Sequence, residues 1–314
     1  MRDKFIVENK SKSLYTAPMS ITENKTLLGI LFALGGFSSF AFGDVMIKYL
    51  GDYYTPYTIA FFTTLFCSII LACVTPKFGG FRKTFGSKKI KLHIVRGLFL
   101  AGEFTLLIYG FSQLPMTTTY ALIFATPFIA SLLAIPLLGE RVSPRQWALI
   151  LLGFAGVLVI LRPGFIPLSL PVMGVTLGAV FFAVTNVMVR MIGEKNETIM
   201  SFALVPEMVI CAVTFVLFLF QPEWPAPMHL LLLVFTGAFS AVALVLIPLA
   251  FLKAPAAVIS PFHYVQMLWG IIFGYVFFGD IMDVWTSTGA FIIIVSGILL
   301  IRREKGKVPD YGTL

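Results

Sequence analysis

The sequence predicts an all-α, polytopic membrane protein of ten transmembrane helices, arranged as two five-helix inverted repeats. Three observations lead to this prediction. The composition is too apolar for a soluble domain, ten apolar runs are long enough to cross a bilayer, and the second half of the chain repeats the first at an offset of about 140 residues.

The composition excludes a water-soluble globule. Of the 314 residues, 58% are hydrophobic and 12% are charged, and the mean hydropathy is +0.94. Soluble domains carry roughly 25% charged residues. An apolar excess of this size needs lipid around it, so the chain is expected to be an integral membrane protein.

Each predicted helix is an apolar run that can cross ~30 Å of hydrocarbon at 1.5 Å per residue. Prolines lie inside several runs, where we expect them to bend or locally unwind the helix. These prolines are Pro127, Pro136, Pro206, Pro248 and Pro261. In chain order the runs are 27–47, 57–75, 92–112, 117–138, 145–161, 170–191, 200–220, 228–250, 256–278 and 285–301.

The basic residues predict the orientation. Lys and Arg accumulate in short loops on the cytoplasmic side, and a cytoplasmic N-terminus leaves only Lys48 and Arg162 of the 23 basic residues outside. Residues 1–26 are polar and lack a short apolar stretch before a cleavage site, so no cleavable signal peptide is expected. We expect cytoplasmic tails at 1–26 and 304–314, and a location in the cytoplasmic (inner) membrane.

The net charge of +8 follows from this topology and needs no nucleic-acid partner, since the sequence lacks basic patches interleaved with aromatic residues. The basic segment 77–91 is interpreted as a topology determinant, or alternatively as a contact to anionic lipid headgroups. Cys67, Cys73 and Cys211 lie in apolar runs without metal-ligand spacing. We therefore expect neither a metal ion nor a cofactor.

The internal repeat rests on polar as well as apolar matches. Each half contains five runs, so the second half enters the membrane from the opposite side, and a pseudo-two-fold axis in the membrane plane relates the halves. This predicts one repeat at 27–161 and another at 170–303. The matched pairs are Asp44/Asn186, Lys48/Arg190, Gly97/Gly237, Pro115/Pro255, Gly139/Gly279 and Glu140/Asp280.

Ionisable side chains within the runs are candidates for a substrate site, because each costs ~2.5–3.5 kcal/mol on insertion scales. Arg96 and Glu103 are seven residues apart on one helix face, at a separation of about 10.5 Å that suits two ends of a ligand. Alternatively, Arg96 marks the helix end and Glu103 bonds a neighbouring helix. Asp44 is either a substrate or proton site or a helix-end anchor paired with Lys48 one turn later.

The ninth run holds the densest polar and aromatic cluster, formed by His263, Tyr264, Gln266 and Trp269. Aromatic faces bind cations or stack on planar rings, and histidine can carry a coupling proton. We predict that this face lines a cavity opposite Tyr120, Thr126 and Ser131 of the fourth run. The alternative is an aromatic interfacial belt with a hydrogen-bonded histidine.

A known family shares the pattern of Gly139-Glu140-Arg141 closing the fourth run and Gly279-Asp280 closing the ninth. With ten runs in two similar halves, the chain resembles the drug/metabolite transporter superfamily in its EamA-like branch, over nearly all of residues 27–303. The resemblance implies alternating access of small organic solutes to a cavity between the halves, in a monomer or homodimer. It also implies peripheral second and seventh helices, which leaves Glu207 outside the predicted substrate site.

A finer likeness involves the segments 44–51, 93–97 and 109–118, which resemble members that take up S-adenosylmethionine in intracellular bacteria. Similar residues occur in riboflavin carriers. The expected function is secondary transport of a small organic metabolite that is S-adenosylmethionine-like, riboflavin-like or amino-acid-like, with or without protons. Since the sequence has no Walker A motif, direct use of ATP is not expected.

The alternatives come from other classes of protein. A membrane-embedded enzyme acting on lipid-linked substrates needs a cluster of catalytic groups, whereas His93, His229 and His263 are far apart in the sequence. A non-transporting membrane sensor usually carries a soluble output domain, for which the tails are short. A channel would show a filter motif. No catalytic residue is predicted.

Overall fold

A computed structural model describes residues 21–139, 143–162, 169–195, 197–281 and 283–304. Within these ranges the regular elements are helical, which confirms the all-α prediction. Most of both predicted tails, and Glu140 and Arg141 of the family pattern, lie outside the described residues. The α-helices are α1 (Ile21–Leu50), α2 (Pro56–Val74), α3 (Gly80–Phe85), α4 (Ile90–Gln113), α5 (Met116–Ile123), α6 (Ala125–Leu138), α7 (Pro144–Leu161), α8 (Leu170–Ile192), α9 (Ile199–Phe218), α10 (Pro227–Lys253), α11 (Ala256–Ile259), α12 (Val265–Phe278) and α13 (Val284–Glu304).

Seven helical stretches in the described ranges are long and apolar enough to cross a membrane. Three more apolar helical stretches, Trp147–Val159, Phe262–Phe278 and Ser287–Ser296, are shorter. The predicted polytopic architecture is confirmed by length and composition, while the number of ten crossings stays a prediction. The seven stretches are Lys25–Leu50, Pro56–Phe78, Ile90–Gln113, Met116–Leu138, Leu170–Ile192, Ile199–Phe218 and Pro227–Lys253.

Two predicted helices are broken near their first third. The fourth run divides into α5 and α6 at Phe124, and the ninth divides into α11, a 3₁₀ turn at Ser260–Tyr264, and α12. Pro127 and Pro261 lie at these breaks, as expected of residues that lack an N–H and clash with the preceding turn. At the other predicted bends, Pro136, Pro206 and Pro248, the helix is continuous.

The broken helices end in the same way. Gly139 and Gly279 follow α6 and α12 with φ of 67° and 66°, and their amides donate to the carbonyls four residues earlier, at 3.1 and 3.2 Å. This left-handed conformation strains any residue with a Cβ. The conformation therefore explains why glycine occurs at both ends.

Two cations close the carbonyl ends of α4 and α10. Lys48 Nζ donates to the carbonyl of Leu114 at 3.3 Å, and Arg190 Nη1 donates to the carbonyl of Ala254 at 2.7 Å. Each acceptor precedes a proline and is extended, because proline disfavours the helical conformation of the residue before it. The cations thus bond carbonyls at helix ends, where positive charge is stabilising.

Two buried or half-buried histidines join the start of one helix to the start of another. In the His93 clasp, at the start of α4, Nε2 lies 3.1 Å from a Glu197 carboxylate oxygen just before α9, and Ser87 donates to the other oxygen at 2.7 Å. In the His229 clasp, at the start of α10, Nδ1 lies 2.9 Å from the Tyr54 hydroxyl just before α2. Each clasp joins the two halves of the chain.

Helix packing also crosses between the halves. The most extensive helix contacts include α1 with α10, α4 with α8, α4 with α9, and α2 with α10. Small residues permit close approach: a Cβ at Gly97 would lie 2.9 Å from the Pro206 carbonyl oxygen, and one at Gly237 would lie 3.0 Å from that of Thr63. These crossings surround the space described next.

Candidate substrate cavity

A cavity lies between the two halves of the chain. Helices α1, α2, α4, α5, α8, α9, α10 and α12 contribute to its wall, together with the 3₁₀ turn before α12. Its apolar lining includes three phenylalanines, Phe40, Phe104 and Phe182. Its polar lining consists of Asp44, Thr63, Thr64, Glu103, Glu207, Ser240, His263 and Gln266.

Asp44 is the centre of a buried hydrogen-bond network. Asp44 is only 4% exposed. Its Oδ2 accepts a hydrogen bond from the Tyr120 hydroxyl at 2.8 Å and another from Gln266 Nε2 at 3.2 Å. The Tyr120 ring passes so close to α12 that a Cβ at Gly270 would overlap it. The network brings together Asp44, Tyr120 and Gln266, three predicted site residues from α1, α5 and α12.

The predicted pairing of Asp44 with Lys48 is not formed. Lys48 lies one turn further along α1, where its ammonium donates to the Leu114 carbonyl and lies 5.2 Å from the centre of the Phe278 ring. The carboxylate instead has partners on two other helices, because its side chain faces the cavity.

Two further carboxylates reach the cavity, Glu103 from α4 and Glu207 from α9. Glu103 is a predicted site residue. Glu207 is 3% exposed, and its carboxylate is within hydrogen-bonding reach of the Cys67 thiol. Glu207 is absent from the predicted substrate site because the resemblance implies a peripheral seventh helix. The sequence signal for Glu207 is an acid directly after a proline inside an apolar run.

His263 belongs to the same wall and is 3% exposed. Its ring stacks on Phe37 at a centroid distance of 4.8 Å and contacts Phe182 at 5.3 Å and Phe124 at 5.9 Å. Its Nδ1 has no hydrogen-bond partner among the described residues. The imidazole is therefore held by aromatic packing and keeps a polar atom available beside the cavity.

Arg96 lies outside the cavity lining. Its Nη1 donates to the carbonyl of Phe202 at 2.6 Å. That carbonyl lies four residues before Pro206, which has no N–H to offer it within α9. The guanidinium thus replaces a missing helical hydrogen bond, and the role of Arg96 as a substrate contact stays a prediction.

Tyr264 and Trp269 also lie beyond the residues that line the cavity. The Tyr264 ring packs edge-on against Phe124 at 5.4 Å. Trp269 donates from Nε1 to the Ser38 hydroxyl at 2.9 Å and stacks on Phe273 at 5.3 Å. Direct contact of either residue with a substrate stays a prediction.

The ionisable lining of the cavity is mainly acidic, with His263 as its one base among the described lining residues. Three lining residues carry carboxylates, and the described lining contains no Lys or Arg. Gln266 Oε1 and Thr63 Oγ1 are buried there without hydrogen-bond partners in the described structure. Since buried polar atoms are normally hydrogen-bonded, these atoms are suited to bonds with a bound molecule.

Comparison with known proteins decides what kind of protein contains this cavity. A sequence model of the EamA-like transporter family matches residues 27–162. A riboflavin transporter of Rhizobium johnstonii is 30% identical over 68% of the chain and 70% of its own length. The chain belongs to the EamA-like transporter family. An S-adenosylmethionine uptake transporter of Rickettsia bellii is 28% identical, over 88% of this chain and 94% of that protein.

A solved crystal structure shares the fold of this family member. It has a TM-score of 0.67 and 17% identity, and it covers 90% of this chain and 99% of its own. Family membership makes the protein an integral, multi-pass secondary metabolite transporter rather than an enzyme. The predicted membership of the drug/metabolite transporter superfamily is confirmed.

Proposed function

We propose that this EamA-like transporter carries a small organic cation, and that Asp44, Glu103, His263 and Gln266 contact the substrate in the central cavity. The acidic cavity carries the proposal. A cation would offset the charge of buried carboxylates, which are costly when unpaired.

S-adenosylmethionine is the leading candidate substrate. Its sulfonium matches the carboxylates, and its adenine can stack on the cavity phenylalanines. The Rickettsia relatives named as S-adenosylmethionine uptake transporters support this choice. A neutral flavin would leave the carboxylates unpaired, and a simple zwitterionic amino acid has no net positive charge to offset them.

We further propose ten membrane crossings in two inverted repeats, 27–161 and 170–303, in the cytoplasmic membrane with both termini in the cytoplasm. Support comes from equivalent features in both halves: the helix breaks, the Gly139 and Gly279 caps, and the bonds from Lys48 and Arg190 to pre-proline carbonyls. The helix contacts agree as well: if α1 is equivalent to α8 and α4 to α10, the contact of α1 with α10 is equivalent to the contact of α8 with α4.

Alternating access would then arise from rocking of one repeat against the other around the cavity. All the lining residues belong to one chain, so a monomer and a homodimer serve this mechanism equally well. Proton coupling would use the same carboxylates or His263, since these are the ionisable groups of the described lining.

The test is direct binding to the transporter purified into lipid nanodiscs. S-adenosylmethionine should bind, while methionine should bind far more weakly and riboflavin should not compete. Asp44→Asn should weaken S-adenosylmethionine binding roughly tenfold to a hundredfold, the loss expected for one interaction with a buried charge.

Asp52→Asn is the matched control, because Asp52 is an exposed carboxylate in the turn after α1. It should leave binding unchanged. Riboflavin binding in the absence of cation binding, or full affinity in Asp44→Asn, would contradict the proposed cation site.

A further inference from the structure

Glu207 occupies a distinct corner of the cavity. Helices α2 and α9 form it, and we call Thr63, Cys67 and Glu207 the Glu207 corner. Thr63 and Glu207 both line the cavity, Thr63 is 1% exposed, and its hydroxyl has no hydrogen-bond partner in the described structure. Cys67 lies one turn after Thr63 and places its thiol beside the Glu207 carboxylate.

The carboxylate of the Glu207 corner and that of Asp44 differ in their hydrogen-bond partners. Asp44 accepts from both Tyr120 and Gln266, and Glu103 is close enough to interact electrostatically with Asp44. Glu207 has the Cys67 thiol, a weak donor, as a neighbour. It also belongs to the other half of the chain.

One positive charge at Asp44 leaves the cavity with an excess of carboxylates. A buried carboxylate without a positive partner is unfavourable by several kcal/mol, so Glu207 requires either a proton or a second cation. An ammonium group has three donors and no acceptor. Glu207 and the unpartnered Thr63 hydroxyl offer acceptors for two of these donors, in a site that no basic side chain of the described lining occupies.

We propose that the Glu207 corner is a second cation subsite, which takes an ammonium group of a substrate that carries two positive groups. The first positive group binds at Asp44. This inference rests on the proposed cation transport and adds the specificity: dications are preferred to monocations of the same size, and Glu207 sets the preference.

The test compares two adenosine sulfonium compounds in nanodiscs. 5′-Deoxy-5′-(butylmethylsulfonio)adenosine carries one positive group, and decarboxylated S-adenosylmethionine has nearly the same shape with an ammonium in place of the terminal methyl group. The wild type should bind the dication about tenfold more tightly. Glu207→Gln should abolish this preference and change the affinity for the monocation by less than about twofold.

Two variants keep the result interpretable. Glu197→Gln removes a buried carboxylate of the His93 clasp, outside the cavity lining, and should retain the preference. Thr63→Val keeps the carboxylate and should reduce the preference in part, so it tests the subsite even when Glu207→Gln fails to fold.

The outcomes separate the two proposals. Wild-type protein that binds neither compound contradicts cation transport and the subsite with it. Wild-type protein that binds both without preference, or a preference that survives in Glu207→Gln, overturns the subsite alone. Equal loss of both compounds in folded Glu207→Gln shows a structural role. A preference that survives in Glu207→Gln while the pH dependence of transport changes assigns the residue to proton transfer instead, which also overturns the subsite.

Discussion

At the residue scale, Arg96 shows how a buried charge can serve the backbone of a neighbouring helix. Its guanidinium bonds the Phe202 carbonyl that Pro206 leaves without a helical donor. Gly97, the next residue, lets α4 approach α9 at this same proline. The arrangement keeps α9 continuous through Pro206 and presents Glu207 to the cavity.

This role predicts a thermodynamic coupling between Arg96 and Pro206. Arg96→Met should lower the free energy of unfolding by about 1–3 kcal/mol, because it leaves a buried carbonyl unpaired. The loss should be smaller in a Pro206→Ala background, where the alanine supplies its own amide to that carbonyl. Unfolding in detergent micelles of the wild type, both single variants and the double variant measures the coupling.

The same four proteins also test Arg96 as a substrate contact. Normal stability of Arg96→Met together with lost S-adenosylmethionine binding would favour the contact and contradict the backbone role.

Some site residues could be predicted because an ionisable group inside a membrane span needs a reason to be there. Asp44, Glu103 and His263 are such groups, and they line one cavity together with Gln266. Trp269 and Tyr264 were less predictable because residues Ser260–Tyr264 form a 3₁₀ turn. A 3₁₀ turn has three residues per turn instead of 3.6. The residues after it therefore point in directions different from those expected for one continuous α-helix.

At the scale of elements, prolines and glycines make the helix ends predictable from the sequence. The contacts that hold the helix starts together, the His93 and His229 clasps, could not be predicted. The ten apolar runs coincide closely with helical segments, because hydrophobic length is a local property. The clasps join residues 104 and 175 positions apart. No local pattern specifies such a pair.

The His229 clasp should contribute measurably to stability. Tyr54 accepts from the Ala226 amide at 2.9 Å and contacts His229 Nδ1 at 2.9 Å. Tyr54→Phe removes both hydrogen bonds and should lower the free energy of unfolding by about 1–2 kcal/mol, as seen in thermal melting of the purified protein.

Tyr49→Phe is the control for the clasp, since its hydroxyl makes an exposed contact of 3.4 Å to Tyr53. We expect almost no change in its melting temperature. If Tyr54→Phe has the same melting temperature as Tyr49→Phe, the His229 clasp does not stabilise the starts of α2 and α10.

At the scale of the whole molecule, both halves of the chain contribute residues to one cavity. The sequence predicts opposite orientation of the two halves from an odd number of runs per repeat, and this orientation stays a prediction. The sequence could not predict the acidic lining, because this depends on how α2 and α9 pack against the other helices. Glu207 reaches the cavity through that packing.

Inversion predicts that equivalent turns lie on opposite sides of the membrane. Asp52, after α1, and Glu194, after α8, are exposed and occupy corresponding places in the two halves. In a variant without Cys67, Cys73 and Cys211, Asp52→Cys should react with a membrane-impermeant maleimide in intact cells. Glu194→Cys should react only after the cells are permeabilised; labelling of both from outside would exclude inverted repeats.

Transport of a cation, as proposed above, would link this transporter to the voltage across its membrane. Carboxylates that remain ionised stay with the protein, so each bound cation that crosses carries net charge inward. At 100 mV, inside negative, that movement is favoured by ~2.3 kcal/mol per charge, which corresponds to roughly fiftyfold accumulation at equilibrium. A monovalent substrate would therefore be concentrated in the cell by an electrical gradient alone, and a divalent one by the square of that factor.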